Sequence, residues 1–250
     1  DYLSISHPLI LRYFGTIKDK EQICLILEFI NGETLNDIDL SQFDEKTKLN
    51  FIFSIMIVIQ YLHFNGFIYR DLKPNNLMID QNNSIVLIDF DQMVKNSKEN
   101  IGADSTRSFA HEYSAPEIGT CDNIMITEKV DIFSLGRLIK FILNNDHEFD
   151  FIDLRSICEQ CVDETPENRP TISKVISIFV SKILIHLKDS INRNLFELLE
   201  KNLTFSNDAD ALYTIGLIYL KGICFEQNIE KAIELLSRSA DQKHADSLFQ

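Results

Sequence analysis

A chain of 250 residues with 45% hydrophobic side chains can bury a sizeable core, as one large domain or two smaller ones. Its formal net charge of −14 excludes a nucleic-acid-binding face, which needs clustered Lys and Arg, and is read as a device for solubility. Five scattered cysteines exclude the disulfide framework of a small secreted domain, and the longest apolar run, Phe51 to Leu62, is too short for a membrane span. With no signal-peptide pattern at its start, the chain reads as a soluble cytoplasmic protein; beginning at Asp1 rather than Met, it reads as a piece of a longer one.

In chain order, His7–Gly15 is expected to turn and then run as a strand, because Pro8 keeps His7 out of helix and Gly15 ends the run. Ile23–Phe29 is almost continuously apolar, which predicts a buried strand closed by Asn31 and Gly32. Thr47–Asn65 carries apolar residues on most sides and predicts a largely buried helix, with Gly66 just past its end. Leu77–Ile79 and Ile85–Ile88 predict two short strands joined by a turn at Asp80–Asn83. Gln92–Ser114 is polar and aperiodic, a long loop of the kind that is usually functional. Thr127 caps a predicted helix to Leu143, and Thr171–Leu187 is the next. Cys158 and Cys161 form a lone CxxC; with no second pair and no nearby His it is read as core rather than as a metal or redox site.

Chemistry concentrates in Tyr69-Arg70-Asp71-Leu72-Lys73-Pro74-Asn75-Asn76. Phosphoryl transfer needs an acceptor for a hydroxyl proton, a cation for the transferring group and an oxygen ligand for Mg²⁺, and Asp71, Lys73 and Asn76 are those types. Asp89 follows 13 residues after Asn76, at the far end of the predicted strand pair, so both oxygens can reach one cation. Tyr113-Ser114-Ala115-Pro116-Glu117 comes next, Glu117 lying 28 residues after Asp89. With these motifs in this order the chain resembles the eukaryotic protein kinases of the Ser/Thr type, the tyrosine-kinase-like group within that range.

The resemblance implies an α+β fold: a protein-kinase-like domain truncated at its N-terminal lobe, with a mainly helical C-terminal lobe, over residues 1–187. It implies ATP and Mg²⁺ as cofactors and a protein substrate. Asp71 would accept the hydroxyl proton, Lys73 would stabilise the transferring phosphoryl, and Asn76 and Asp89 would hold Mg²⁺. Leu27 would be the gatekeeper, the backbone of Glu28 and Ile30 would face adenine, and Met78 would pack beneath it. Tyr69 would pack on Phe90, Asp131 would hold the catalytic-loop backbone, and Arg169 would pair with Glu117. Ser105, Thr106 and Ser108 are candidate phosphorylation sites in the activation segment, with Arg70 as a phosphate ligand; an ordinary exposed loop is the competing reading.

Three departures stand out. No GxGxxG loop and no Val-Ala-Ile-Lys strand occurs in these residues, so the 250 residues alone are expected to be inactive. Asp91 replaces the Gly of Asp-Phe-Gly, where backbone freedom is expected to matter. Ala110 stands where Ser/Thr kinases place a Thr.

Beyond a helical linker at 188–207, Ala209–Thr214 recurs as Ala245–Gln250, shifted by 36 residues, with Gly216, Gly222, Ala232 and Ala240 between. This resembles the Sel-one-like repeats, relatives of the tetratricopeptide family, with Cys224 in place of a usual Gly; it implies a helical solenoid repeat over 208–250 that binds a protein partner. Removing it is expected to leave catalysis intact. The two functional expectations are an ATP-dependent protein serine/threonine kinase and an inactive pseudokinase scaffold that acts through its repeats.

Overall fold

The computed structural model describes residues 5–19, 22–96, 112–118, 126–143, 154–186, 193–206, 208–222 and 226–242. At the start of the chain, strands β1 (Tyr13–Asp19) and β2 (Gln22–Leu27) form an antiparallel two-stranded sheet with a bulge between Tyr13 and Gly15. The expected turn is present at His7–Ile10, with Ile10 N donating to His7 O at 3.0 Å, whereas the strand begins later than expected: Leu9–Leu11 exchanges bonds with Leu87 across an isolated bridge and β1 starts at Tyr13. Gly15 does not end the run, because the bulge absorbs it.

The expectation of a buried strand at Ile23–Phe29 is corrected. All six residues of β2 are exposed, and so is Phe29. A continuous apolar run predicts burial only if layers cover both faces, and among the described residues β2 pairs with β1 alone.

A second sheet follows, in the order β3 (Gly32–Thr34), β5 (Leu77–Asp80), β6 (Ile85–Leu87), all antiparallel. Gly32 opens β3 rather than closing β2. A Cβ on it would stand 2.0 Å from the Ile79 carbonyl oxygen, so only glycine admits this close pairing.

The core is built on α1 (Glu45–Phe64), capped by the Asp44 side chain accepting from Thr47 N at 2.8 Å. Among the described residues α1 is the helix long and apolar enough to cross a bilayer, but 72% of its most apolar stretch lies inside the fold, which identifies it as a core helix. Against it pack α2 (Lys129–Leu143) and α4 (Ile172–His186), with the short α3 (Arg155–Cys161) between them in sequence. Cys158 and Cys161 of α3 are buried and burial pushes both thiols up to about 12. Among the described residues no cluster of three His, Cys, Asp or Glu is placed to hold a metal ion.

The segment expected as a linker contains α5 (Arg193–Ser206), and α5 is packed rather than spanning. Phe196 of α5 lies 5.1 Å from Phe53 of α1, and Phe53 stacks on Phe179 of α4 at 5.9 Å. Helices α6 (Ala209–Lys221) and α7 (Ile229–Asp241) then form a close hairpin, and α6 also packs on α4. Gly222 ends α6 with φ +62°, in the left-handed region that glycine favours. Lys231 of α7 bonds both Glu200 of α5 and the Tyr219 hydroxyl of α6, tying the three helices together. Residues 243–250, where the next repeat unit is expected, lie outside the described residues.

His7 is buried against Tyr61, ring centroids 4.7 Å apart. Burial, then the charge of Lys201, lowers its pKa to about 4. The unfolded chain, with an ordinary histidine, binds the proton more tightly. Stability from this group is therefore complete above pH 6.5 and is lost as pH falls toward 4, by about 3 kcal/mol. Urea titrations of the wild type and His7→Gln across that window are expected to converge as the pH falls. A difference that stays constant with pH would remove His7 from the account.

Candidate catalytic site

The 3₁₀ turn Pro74–Asn76, with Pro at its start, carries the chain from the catalytic loop into β5. This folds Asn76 and Lys73 back onto Asp71. Lys73 Nζ donates to Asp71 Oδ2 at 2.7 Å, and Asn76 Nδ2 donates to the same oxygen at 2.8 Å and to the Asp71 carbonyl at 2.9 Å. Both of these bonds from the Asn76 amide nitrogen go to Asp71, which fixes the orientation of the Asn76 side chain. Ile88 N donates to Asn76 O at 2.9 Å, which joins the end of β6 to the catalytic loop and sets Asp89 beside it.

The loop backbone is held from below by Asp131 on α2. Its carboxylate accepts Tyr69 N at 2.9 Å and Arg70 N at 2.7 Å, and it is completely buried. A third donor was not visible in the sequence: His63, near the end of α1, places Nε2 2.8 Å from Asp131 Oδ2. Arg70 takes φ +73° and Asp89 φ +60°. These two left-handed residues, both costly for side chains with a Cβ, flank the site and are held by the bonds just described.

Tyr69 is fully buried, meets Phe90 edge-on at 5.6 Å, and donates its hydroxyl to Ile88 O at 2.5 Å. Burial and the nearby carboxylates of Asp71 and Asp89 keep the phenol well above its ordinary pKa, so it remains a donor. Below the site, Arg169 makes a two-pronged contact with Glu117, NH1 to Oε1 at 2.6 Å and NH2 to Oε2 at 2.8 Å. It also donates from Nε to Asp163 O at 2.8 Å and lies over the Phe133 ring.

The left-handed strain expected at Asp91 is absent there: Asp89 carries it. Asp91 contributes a backbone N–H to Asp89 Oδ1 at 3.2 Å, a bond that any residue but proline supplies. Asp91→Gly in the full-length protein is accordingly expected to leave turnover and Mg-ATP affinity unchanged or slightly raised. Its stability cost should be about 0.5–1 kcal/mol, from glycine's extra freedom in the unfolded chain. A collapse of turnover with the fold intact would give the Asp91 carboxylate an active role.

Of the residues expected around adenine, Glu28 and Ile30 line a cleft whose other wall is α5, Met78 is half-buried on β5, and Leu27 is exposed. That cleft is lined by Glu28 and Ile30 and not by Leu27, Met78 or Asp71. Ser105, Thr106, Ser108 and Ala110 lie outside the described residues.

A family profile described as "Protein kinase domain" matches residues 2–208, a stretch that includes α5. An Aurora kinase of Debaryomyces hansenii is 32% identical over 155 residues, covering 61% of this chain and 37% of its own. Serine/threonine-protein kinase ppk16 of Schizosaccharomyces pombe is 30% identical over 180 residues, covering 71% and 27%. Developmentally-regulated protein kinase 1 of Dictyostelium discoideum is 35% identical over 141 residues, covering 55% and 19%. The chain thus spans well under half the length of these relatives.

Proposed function

Because the chain belongs to the protein kinase family, we propose that it carries the catalytic lobe of an ATP-dependent protein serine/threonine kinase. The observation that carries this reading is the convergence of Lys73 and Asn76 on the Asp71 carboxylate. ATP supplies the transferable phosphoryl, and Mg²⁺ offsets its charge. Asn76 and Asp89 fit a hard divalent cation by donor type, two oxygens with the remaining positions left to phosphate and water. Asp71 orients the substrate hydroxyl and accepts its proton, and Lys73, already within 2.7 Å of that carboxylate, stands where positive charge meets the transferring group. Asp131 holds the Tyr69–Arg70 backbone, and Tyr69 and Phe90 pack beneath. Leu27, Glu28, Ile30 and Met78 are assigned to adenine, Glu28 and Ile30 through their backbone.

In the full-length protein, Asp71→Asn is expected to lower peptide phosphorylation by about 10²–10⁴-fold while leaving the thermal melt unchanged. Retention of wild-type turnover would sink the assignment of Asp71. The second reading, a scaffold without turnover, is motivated by Asp91 in place of the Gly of Asp-Phe-Gly and Ala110 in place of a Thr. Absence of turnover in the wild-type full-length protein, with Mg-ATP binding also lost, would establish it. On either reading the helical pair α6–α7 begins a Sel-one-like array for a protein partner. Its support is the recurrence of Ala209–Thr214 at Ala245–Gln250.

A further inference from the structure

A cleft of about 690 Å³ separates Glu28, Phe29 and Ile30, at the end of β2, from Glu197 and Lys201 of α5, with Asp80 of β5 on its floor. Its volume falls in the range of sites that hold ligands or peptide side chains. None of Asp71, Lys73, Asn76 or Asp89 lines it. Two features define what fits. Phe29 is 88% exposed, a large apolar face at the lip, with Ile30 beside it. The lining carries three carboxylates, Glu28, Asp80 and Glu197, and one ammonium, Lys201.

Those carboxylates are available to a cation. Asp80 is fixed in place by the amides of Asn82 and Ser84, both at 2.8 Å. Glu28 accepts the Arg12 amide at 3.4 Å, and Glu197 meets Arg193 in a solvent-exposed pair at 3.2 Å. An exposed pair of that kind is worth little, so a ligand's cation can replace Arg193 at small cost.

We propose that this cleft docks an extended segment of a protein partner in which a large apolar residue is flanked by Lys or Arg. The apolar side chain covers Phe29 and Ile30, and the cationic flank meets Glu28, Asp80 and Glu197. An acidic or phosphorylated segment would find Lys201 outnumbered. None of Asp71, Lys73, Asn76 or Asp89 lines the site, so the side chains that dock the segment are not those proposed to act on the phosphoryl group.

The test is fluorescence anisotropy of three labelled peptides, one of Lys and Leu, one of Lys and Gly, one of Glu and Leu, titrated with the intact 250-residue chain in physiological salt. The Lys/Leu peptide is expected to saturate and the other two to bind at least about tenfold more weakly. Glu197→Lys and Phe29→Ser, both at exposed positions, should each weaken the Lys/Leu peptide by about tenfold or more. Glu234→Lys on α7 makes the same charge change away from the cleft, and Ile23→Ser removes exposed apolar surface on β2; both should leave binding within about twofold. Circular dichroism checks each fold. Equal losses in Glu197→Lys and Glu234→Lys would reduce the effect to bulk charge. Equal losses in Phe29→Ser and Ile23→Ser would move binding to the β1–β2 sheet. Either result, or tight binding of the Glu/Leu peptide, or no saturation at all, overturns the proposal.

Discussion

Ending the chain after Lys188 is expected to abolish its cooperative thermal unfolding. The cut removes α5 and with it Phe196 and Leu199, both within a percent of complete burial. Phe53 loses the ring 5.1 Å away, and the apolar faces of α1 and α4 that α5 and α6 covered meet water. Truncating a single buried Phe to Ala typically costs about 3–5 kcal/mol. Loss of several such contacts exceeds the ~5–15 kcal/mol that holds a whole domain folded. The separation between catalytic lobe and helical arm expected from the sequence therefore cannot be tested at that boundary. Near-UV circular dichroism and a melting curve of the 1–188 fragment decide the matter: a cooperative transition within a few degrees of the intact chain would show that α5 is dispensable. Phe196→Ala in the intact chain isolates the ring's share, about 3–5 kcal/mol by urea midpoint.

Arg169→Ala is the single substitution expected to cost most. The guanidinium is 1% exposed and bonds the carboxylate of Glu117, the carbonyls of Asp163 and Lys129, and the face of Phe133. Its removal takes the two-pronged guanidinium partner from the half-buried Glu117 carboxylate, and breaking a buried pair on one side typically costs about 3–5 kcal/mol. Glu117→Ala should cost a comparable amount, and the double variant clearly less than the sum, because the two share one interaction. Additive losses would mean that the pair is not the source. A change under about 1 kcal/mol for Arg169→Ala would place this contact among exposed ion pairs instead.

The convergence of Asp71, Lys73 and Asn76 was legible because it is set by offsets along one short stretch: the three fold back on each other within six residues, and the 3₁₀ turn at Pro74 does this. Helix α1 was legible because its apolar residues run all round. His63 was not. A single histidine on an apolar helix carries no spacing, and its partner Asp131 is 68 residues away. The burial of β2 was misread because an apolar run reports what a strand is suited to, whereas exposure depends on the layers around it. Helix α5 was legible as a helix but read as a linker, because its stretch is polar; among its described side chains Phe196 and Leu199, one helical turn apart, are the buried apolar ones. The expectation about Asp91 erred by two residues, since identity at a motif position does not say which residue of the turn takes the left-handed conformation; that fell to Asp89.

The packing of α3 has a consequence for how the molecule can be watched. The Cys158 and Cys161 thiols are buried and hold their protons far above neutral pH, whereas Cys24 is exposed on β2. A maleimide can alkylate Cys24 on contact, but it reaches the α3 pair only when α3 lifts from the core. The slow phase of labelling at those two positions is then a clock for that opening, readable by mass spectrometry in the native protein without denaturant.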